Sequence, residues 1–217
     1  MLRLRAVFKK TGRSVYISHL DLNRCMLRIF RRSKLPVWYT EGFNPHPYYS
    51  FALALSLGFE SECEIMDFNI TEDISLEEVK ERLNAVMPEG MGVVSVSEQK
   101  KKITEIAKAE YSILIDAQNT EELIAEFNKF MAKDEINVEK KTKKGIKTVD
   151  IKPAIEVVSI VADEGKVLLD MRLPAGTKTN YNPTLVIDAF REYAENTFEI
   201  LKIKRIGILC ENNEIFL

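Results

Sequence analysis

A chain of 217 residues holds one large domain or two of about 100 residues each. Its 46% apolar content is enough for a real core, yet no apolar run approaches the roughly 20 residues of a membrane span, and MLRLRAVFKK is too short and too charged for a secretory signal. The net charge of -2 hides an asymmetry: residues 1–60 carry ten Lys or Arg against three acids, and the remainder 21 against 30. A basic first third on an otherwise acidic chain implies either a local surface for anions or one that docks on acidic groups of the same chain or of a partner. Cys25, Cys63 and Cys210 are odd in number, far apart and without CxxC spacing, which argues against a disulfide framework, a zinc site or a cluster. The expectation is a cytoplasmic chain with no cofactor and no membrane partner.

In chain order, Leu2, Leu4, Ala6 and Phe8 alternate with Arg3 and Arg5, the period of a half-buried strand. Ser18 with Asp21 three residues on reads as a helix start. The helix runs to Ser33 with Leu22, Cys25, Met26, Ile29 and Phe30 on one face and Asp21, Arg24, Arg28, Arg31 and Arg32 on the other. Pro36 ends it. After a loop from Tyr39 to Ser50, Phe51–Phe59 is apolar enough for a strand, Glu64–Ile70 alternates, Ser75–Met87 is helical and Gly92–Ser97 is a further strand. This β-α-β-β-α-β order is the ferredoxin-like arrangement. The order restarts after a polar linker at 98–102, with strand Ala109–Ala117, helix Thr120–Met131, an extra hairpin from Ile136 to Ile151, strands Ile155–Ala162 and Lys166–Leu173, helix 182–196 and strand Leu201–Cys210. The reading is α+β with two tandem ferredoxin-like domains, 1–98 and 105–217.

Four stretches carry candidate chemistry. Arg24, Arg28 and Arg31 sit at i, i+4 and i+7 with Arg32 at the edge, a row that matches phosphates along a nucleic-acid backbone. The plain alternative is a solvated charged face, which Asp21 as its lone acid makes less apt. The Tyr39–Ser50 loop is braced by prolines, and Phe43, Asn44, His46, Tyr48 and Tyr49 are positioned to meet unpaired bases. For Phe43 and Phe51 an apolar plug is the preferred reading. His19 and His46 are the acid–base candidates were the protein an enzyme, although His19 falls on the side of Met26 and Phe30 and reads as a packed imidazole. No metal spacing, serine elbow or phosphate loop is present. Lys140, Lys141, Lys143, Lys144 and Lys147 make a lysine-rich hairpin tip, read first as a solubility feature. The Arg172–Asn180 connection is read as a crossover loop.

YISHLDLNR, RRSKLPVWYTEGFNPHP and SFALAL together resemble the bacterial radical-SAM-linked proteins. The resemblance covers essentially the whole chain and is specific over residues 16–58. It implies a companion of a radical S-adenosylmethionine protein, since this chain has no CxxxCxxC of its own. The family motif falls on Tyr16, Ser18, His19, Asp21, Arg24, Arg28, Arg31, Arg32, Pro36, Glu41, Gly42, Phe43, Asn44, Pro45 and His46. The implied partners are a radical SAM protein and RNA, ribosomal or transfer. Two other readings stand beside this one. One is a metal-independent endoribonuclease resembling the CRISPR repeat-processing enzymes. The other is an adaptor that docks on the radical enzyme without RNA.

Overall fold

The structure, a computed structural model, describes residues 1–142, 145–177 and 179–217. Lys143 and Lys144 of the lysine-rich tip, the side chains of Lys140 and Lys141, and Lys178 of the crossover connection lie outside the described residues. The chain is mixed α+β and divides into two compact units. One comprises Met1–Glu105 with Arg205–Gly207 and Ile215–Leu217; the other comprises Ile106–Lys204 with Ile208–Glu214.

The first unit contains β1 (Leu2–Lys10), α1 (His19–Ser33), β2 (Tyr49–Phe51), β3 (Glu60–Ile70), α2 (Leu76–Asn84) and β4 (Met91–Glu98). Its strand order is β4-β1-β3 with β2 on β3, every pair antiparallel. The period-two pattern sends Leu4, Ala6, Phe8, Met66, Phe68 and Ile70 to one face, where they bury against Leu22, Met26, Ile29 and Phe30 of α1 and Val79 and Leu83 of α2. Each of these side chains other than Ala6 contributes about 1.5–3 kcal/mol when fully buried. Ser18 caps α1 by accepting from the Asp21 N–H (3.1 Å), and the helix stops where Lys34 turns left-handed at φ 55° before Leu35-Pro36.

The expected strand Phe51–Phe59 is a correction. Only Tyr49–Phe51 pairs with β3; the following residues are irregular, with Leu53, Leu55 and Phe59 buried as single apolar plugs. The carbonyls of Leu53 and Ala54 accept instead from Arg205 Nη1 (3.3 Å) and Nη2 (2.7 Å). A guanidinium thus satisfies backbone that a neighbouring strand would otherwise have to pair.

The other sheet face of this unit holds buried charge. Arg5 donates through Nε to Asp67 Oδ1 (2.8 Å) and through Nη2 to Asp67 Oδ2 (2.9 Å) and the Lys101 carbonyl (3.0 Å). Gln99 Nε2 donates to the same carboxylate at 2.9 Å, and the Phe216 ring lies 4.3 Å from the guanidinium carbon. On the helix face, where Glu64 stands opposite Phe8, Arg205 and Glu64 form a second buried pair at 2.9 Å.

The second unit contains β5 (Lys108–Ala117), α3 (Thr120–Met131), the hairpin β6 (Asn137–Thr142) with β7 (Gly145–Asp150), β8 (Glu156–Asp163), β9 (Lys166–Pro174), α4 (Pro183–Tyr193) and β10 (Phe198–Leu209) except for its Arg205–Gly207, in strand order β10-β5-β9-β8 with the hairpin apart. Strict alternation in β5 and β9 buries Tyr111, Ile113, Ile115, Val167, Leu169 and Met171. Phe127, Phe130, Phe190 and Phe198 form its aromatic cluster.

Candidate nucleic-acid interface

Because α1 buries Leu22, Met26, Ile29 and Phe30, its helical period turns Arg24, Arg28, Arg31 and Arg32 outward, and all four are exposed. Arg24 is spoken for: its Nη1 meets Asp21 Oδ1 at 3.0 Å. The Asp21 carboxyl is held below its ordinary range, first by the Ser18 hydroxyl and then by Arg24. Among the described residues no carboxylate pairs with Arg28, Arg31 or Arg32. Cys25 lies beneath the row; burial pushes its thiol up, and Arg28 opposes that shift.

The Tyr39–Ser50 segment is more ordered than a run of irregular residues. Tyr39 bridges Pro47, the Thr40 N–H donates to the His46 carbonyl (2.9 Å), and the Tyr48 N–H donates to the Trp38 carbonyl (2.9 Å). The excursion is therefore hairpin-like, with residues 41–46 at its tip and Gly42 at φ 125°, a conformation that side chains rarely tolerate. Phe43 is fully exposed at 105% relative accessibility, which overturns the apolar-plug reading for this residue. Asn44 is exposed beside it. Phe51 does pack, against Phe8 (6.0 Å between ring centroids) and Tyr49 (5.7 Å).

The two tyrosines part company. Tyr49 lies on the helix side, its hydroxyl donating to the Asn23 carbonyl (2.7 Å) and its ring 5.4 Å from Phe30; burial raises its phenol. Tyr48, one residue earlier, belongs to the other side and meets Trp38 edge-on at 5.3 Å.

The histidines are likewise separate in their contacts. His19 is exposed, with its ring edge on Phe51 at 5.4 Å, so the packed-imidazole reading is corrected to a surface ring with one aromatic neighbour. His46 is exposed, with Nδ1 3.0 Å from the Asn44 carbonyl and 3.1 Å from Thr40 Oγ1. A carbonyl can only accept, so Nδ1 carries the proton and the neutral ring keeps its lone pair on Nε2. No hydrogen bond or ring contact joins His19 to His46, and no His/Cys/Asp/Glu group suited to a metal occurs among the described residues. No described helix is long and apolar enough to cross a membrane.

The sequence reading passed over one arrangement. Gln99, Arg3, Asn69, Trp38 and Tyr48 are successive cross-strand neighbours, joined by the Gln99 N–H to the Arg3 carbonyl, the Arg3–Asn69 register pair, the Trp38 N–H to the Asn69 carbonyl and the Tyr48 N–H to the Trp38 carbonyl. They face away from the helices, alongside Asp67 and Ser50, and line a pocket of about 500 Å³. The alternation that sent Val37 and Ile70 into the core was the available signal for Trp38 and Asn69.

These features define a mixed α+β protein with a solvent-facing cationic helix, an exposed aromatic loop tip and a polar, aromatic-edged sheet face. The chain belongs to the family described as "Uncharacterized protein conserved in bacteria (DUF2344)", whose model matches residues 3–183. Among solved structures it is similar to a chain of a Cbf5-Nop10-Gar1 complex, at 11% identity and a TM-score of 0.47 over 94% of this chain and 48% of that one. It is also similar to a chain of the archaeal box H/ACA sRNP Nop10-Cbf5 complex, at 11% identity and a TM-score of 0.43 over 92% of this chain and 46% of that one. The chain thus spans about half the length of either. No curated protein matches it.

Proposed function

We propose that this protein is a non-catalytic RNA-binding accessory factor of the cytoplasm, acting with a radical SAM enzyme in the modification or maturation of ribosomal or transfer RNA. The observation that carries the reading is the outward row of Arg28, Arg31 and Arg32 with no described carboxylate against it. A guanidinium on such a row binds phosphate bidentately and releases counterions. Phe43 at the loop tip supplies a stacking surface for an unpaired base, as do Asn44 and Nε2 of His46 for its polar edge. The radical SAM partner rests on the sequence resemblance over residues 16–58. The element order and the β4-β1-β3-β2 and β10-β5-β9-β8 strand orders support reading residues 1–98 and 105–217 as two ferredoxin-like domains in tandem, with β6–β7 as an insertion.

The test is RNA binding by the intact chain against salt. Three phosphate contacts to a single strand give a log–log slope near -2, so a fourfold rise in salt weakens binding by about 20-fold. Arg28→Glu with Arg31→Glu leaves one of the three contacts and lowers the slope to about -0.7. Phe43→Ala lowers affinity by about 5- to 150-fold, with unchanged thermal stability because the ring is fully exposed. RNA binding unaltered by the arginine reversals refutes the reading. Binding to the radical enzyme that survives both nuclease and high salt, with no RNA affinity, establishes the adaptor instead. The endoribonuclease reading has one supporting observation, the exposed His46 ring held through Nδ1 at the loop tip. RNA cleavage by the wild type that is lost in His46→Ala would select it.

A further inference from the structure

We infer that the sheet face carrying Trp38 and Tyr48 is a nucleotide pocket, a site distinct from the arginine helix and independent of the function proposed for it. Its volume of about 500 Å³ lies within the roughly 300–1,000 Å³ of small-molecule sites. Its lining divides by chemistry along the sheet. At one end Trp38 and Tyr48 meet edge-on at 5.3 Å, which leaves part of the indole face open to a flat ring. Next to them stands the side-chain amide of Asn69, a group that reads the donor and acceptor edge of a base. Beyond it come Arg3, then Gln99 and Lys102; Arg3 and Lys102 are both exposed, neither with a described carboxylate on its side chain.

Asp67 is the acid among the lining residues, and it is held by Arg5 (2.8 and 2.9 Å) and Gln99 (2.9 Å). The free charge facing the cavity is therefore cationic. An anion with a planar, hydrogen-bonding ring fits this order: base against Trp38, its edge on Asn69, phosphate toward Arg3 and Lys102. Cross-strand neighbours stand about 4.5–5.5 Å apart, so the row from Tyr48 to Gln99 offers a ladder on which one nucleotide extends rather than a slot for a lone phosphate. The same chemistry is presented by a free nucleoside monophosphate and by one unpaired nucleotide of an RNA strand.

Trp38 is the chain's single tryptophan, so the indole reports its own site. The intact protein is titrated with adenosine 5′-monophosphate, adenosine, inorganic phosphate and an oligo(A) octamer while Trp38 fluorescence is followed. Saturable quenching by the monophosphate assigns the pocket to a free nucleotide, and quenching by the octamer alone assigns it to a nucleotide within a strand. Arg3→Ala with Lys102→Ala weakens either ligand at least tenfold and flattens its salt dependence, and Tyr48→Ala weakens it about 5- to 150-fold. Arg28→Glu with Arg31→Glu leaves quenching by the monophosphate intact, which separates failure here from failure of the helix reading. The inference is overturned if no ligand quenches, or if the Arg3/Lys102 variant, folded by its unfolding curve, is quenched at wild-type concentrations.

Discussion

Removing the Asp67 carboxylate is the sharpest perturbation of the first unit. Arg5 is fully buried and Asp67 nearly so, with side-chain exposures of 0% and 8%. Asp67→Ala deletes two charged hydrogen bonds from Arg5 at 2.8 and 2.9 Å and a third from Gln99 at 2.9 Å, and it leaves a guanidinium in the interior under the Phe216 ring. Charged hydrogen bonds contribute about 1.5–3 kcal/mol each, and breaking one side of a buried pair costs about 3–5 kcal/mol. At about 2–4 °C per kcal/mol for a chain of this size, Tm falls by about 6–20 °C. Arg5→Met with Asp67→Leu behaves differently. Arg5 Nη1 is already buried without a partner, so a well-packed apolar pair recovers most of the loss. Urea unfolding followed by Trp38 fluorescence reports on this unit and gives the free energies of the cycle. An Asp67→Ala protein within about 1 kcal/mol of wild type, or a double variant as unstable as the single, refutes the reasoning.

Two further outcomes test the same fold. Burial pushes the Cys63 thiol up to about 12, with neighbouring Glu64 adding to the shift. At pH 8 its thiolate fraction is then about one in ten thousand against a few tenths for a free thiol, so mass-spectrometric mapping of alkylation finds Cys63 unmodified until the protein is denatured. Gly90 adopts φ 82° and a Cβ there would stand 2.4 Å from the Thr11 carbonyl oxygen, whereas Gly12 at φ 57° has nothing within 4 Å. Gly90→Ala therefore destabilises by well over ~1 kcal/mol and Gly12→Ala by about that much, read from urea midpoints; equal losses would contradict the geometry.

Much of the framework was legible because period and capping are local. Ser18, the apolar stripe of α1 and the alternation of Leu2–Phe8 each depend on residues within a turn or two. Phe51–Phe59 misled for the opposite reason. Its apolar content was read as a strand, but Leu53 and Ala54 give their carbonyls to Arg205, a residue some 150 positions later. For Phe43 hydrophobicity favours a plug over a base-stacking ring, and only the Tyr39–Pro47 bridge puts it at a tip in water. The alternation correctly set Arg5 opposite Leu4 and Ala6, but whether it met solvent or a carboxylate was a question for Asp67, Gln99 and Phe216. The Trp38 row is not legible in the sequence because its members come from positions 3, 38, 48, 69 and 99, which no window of sequence brings together.

Phe216 is fully buried over Arg5 and is grouped with residues 1–105. During synthesis the strands and helices of that N-terminal unit emerge long before the ring that seals them. Until residues 215–217 leave the ribosome, the Arg5–Asp67 pair has no lid, and the nascent unit waits with a charged seam open to water. Chain order and order of completion are thereby reversed: what is translated first is finished last.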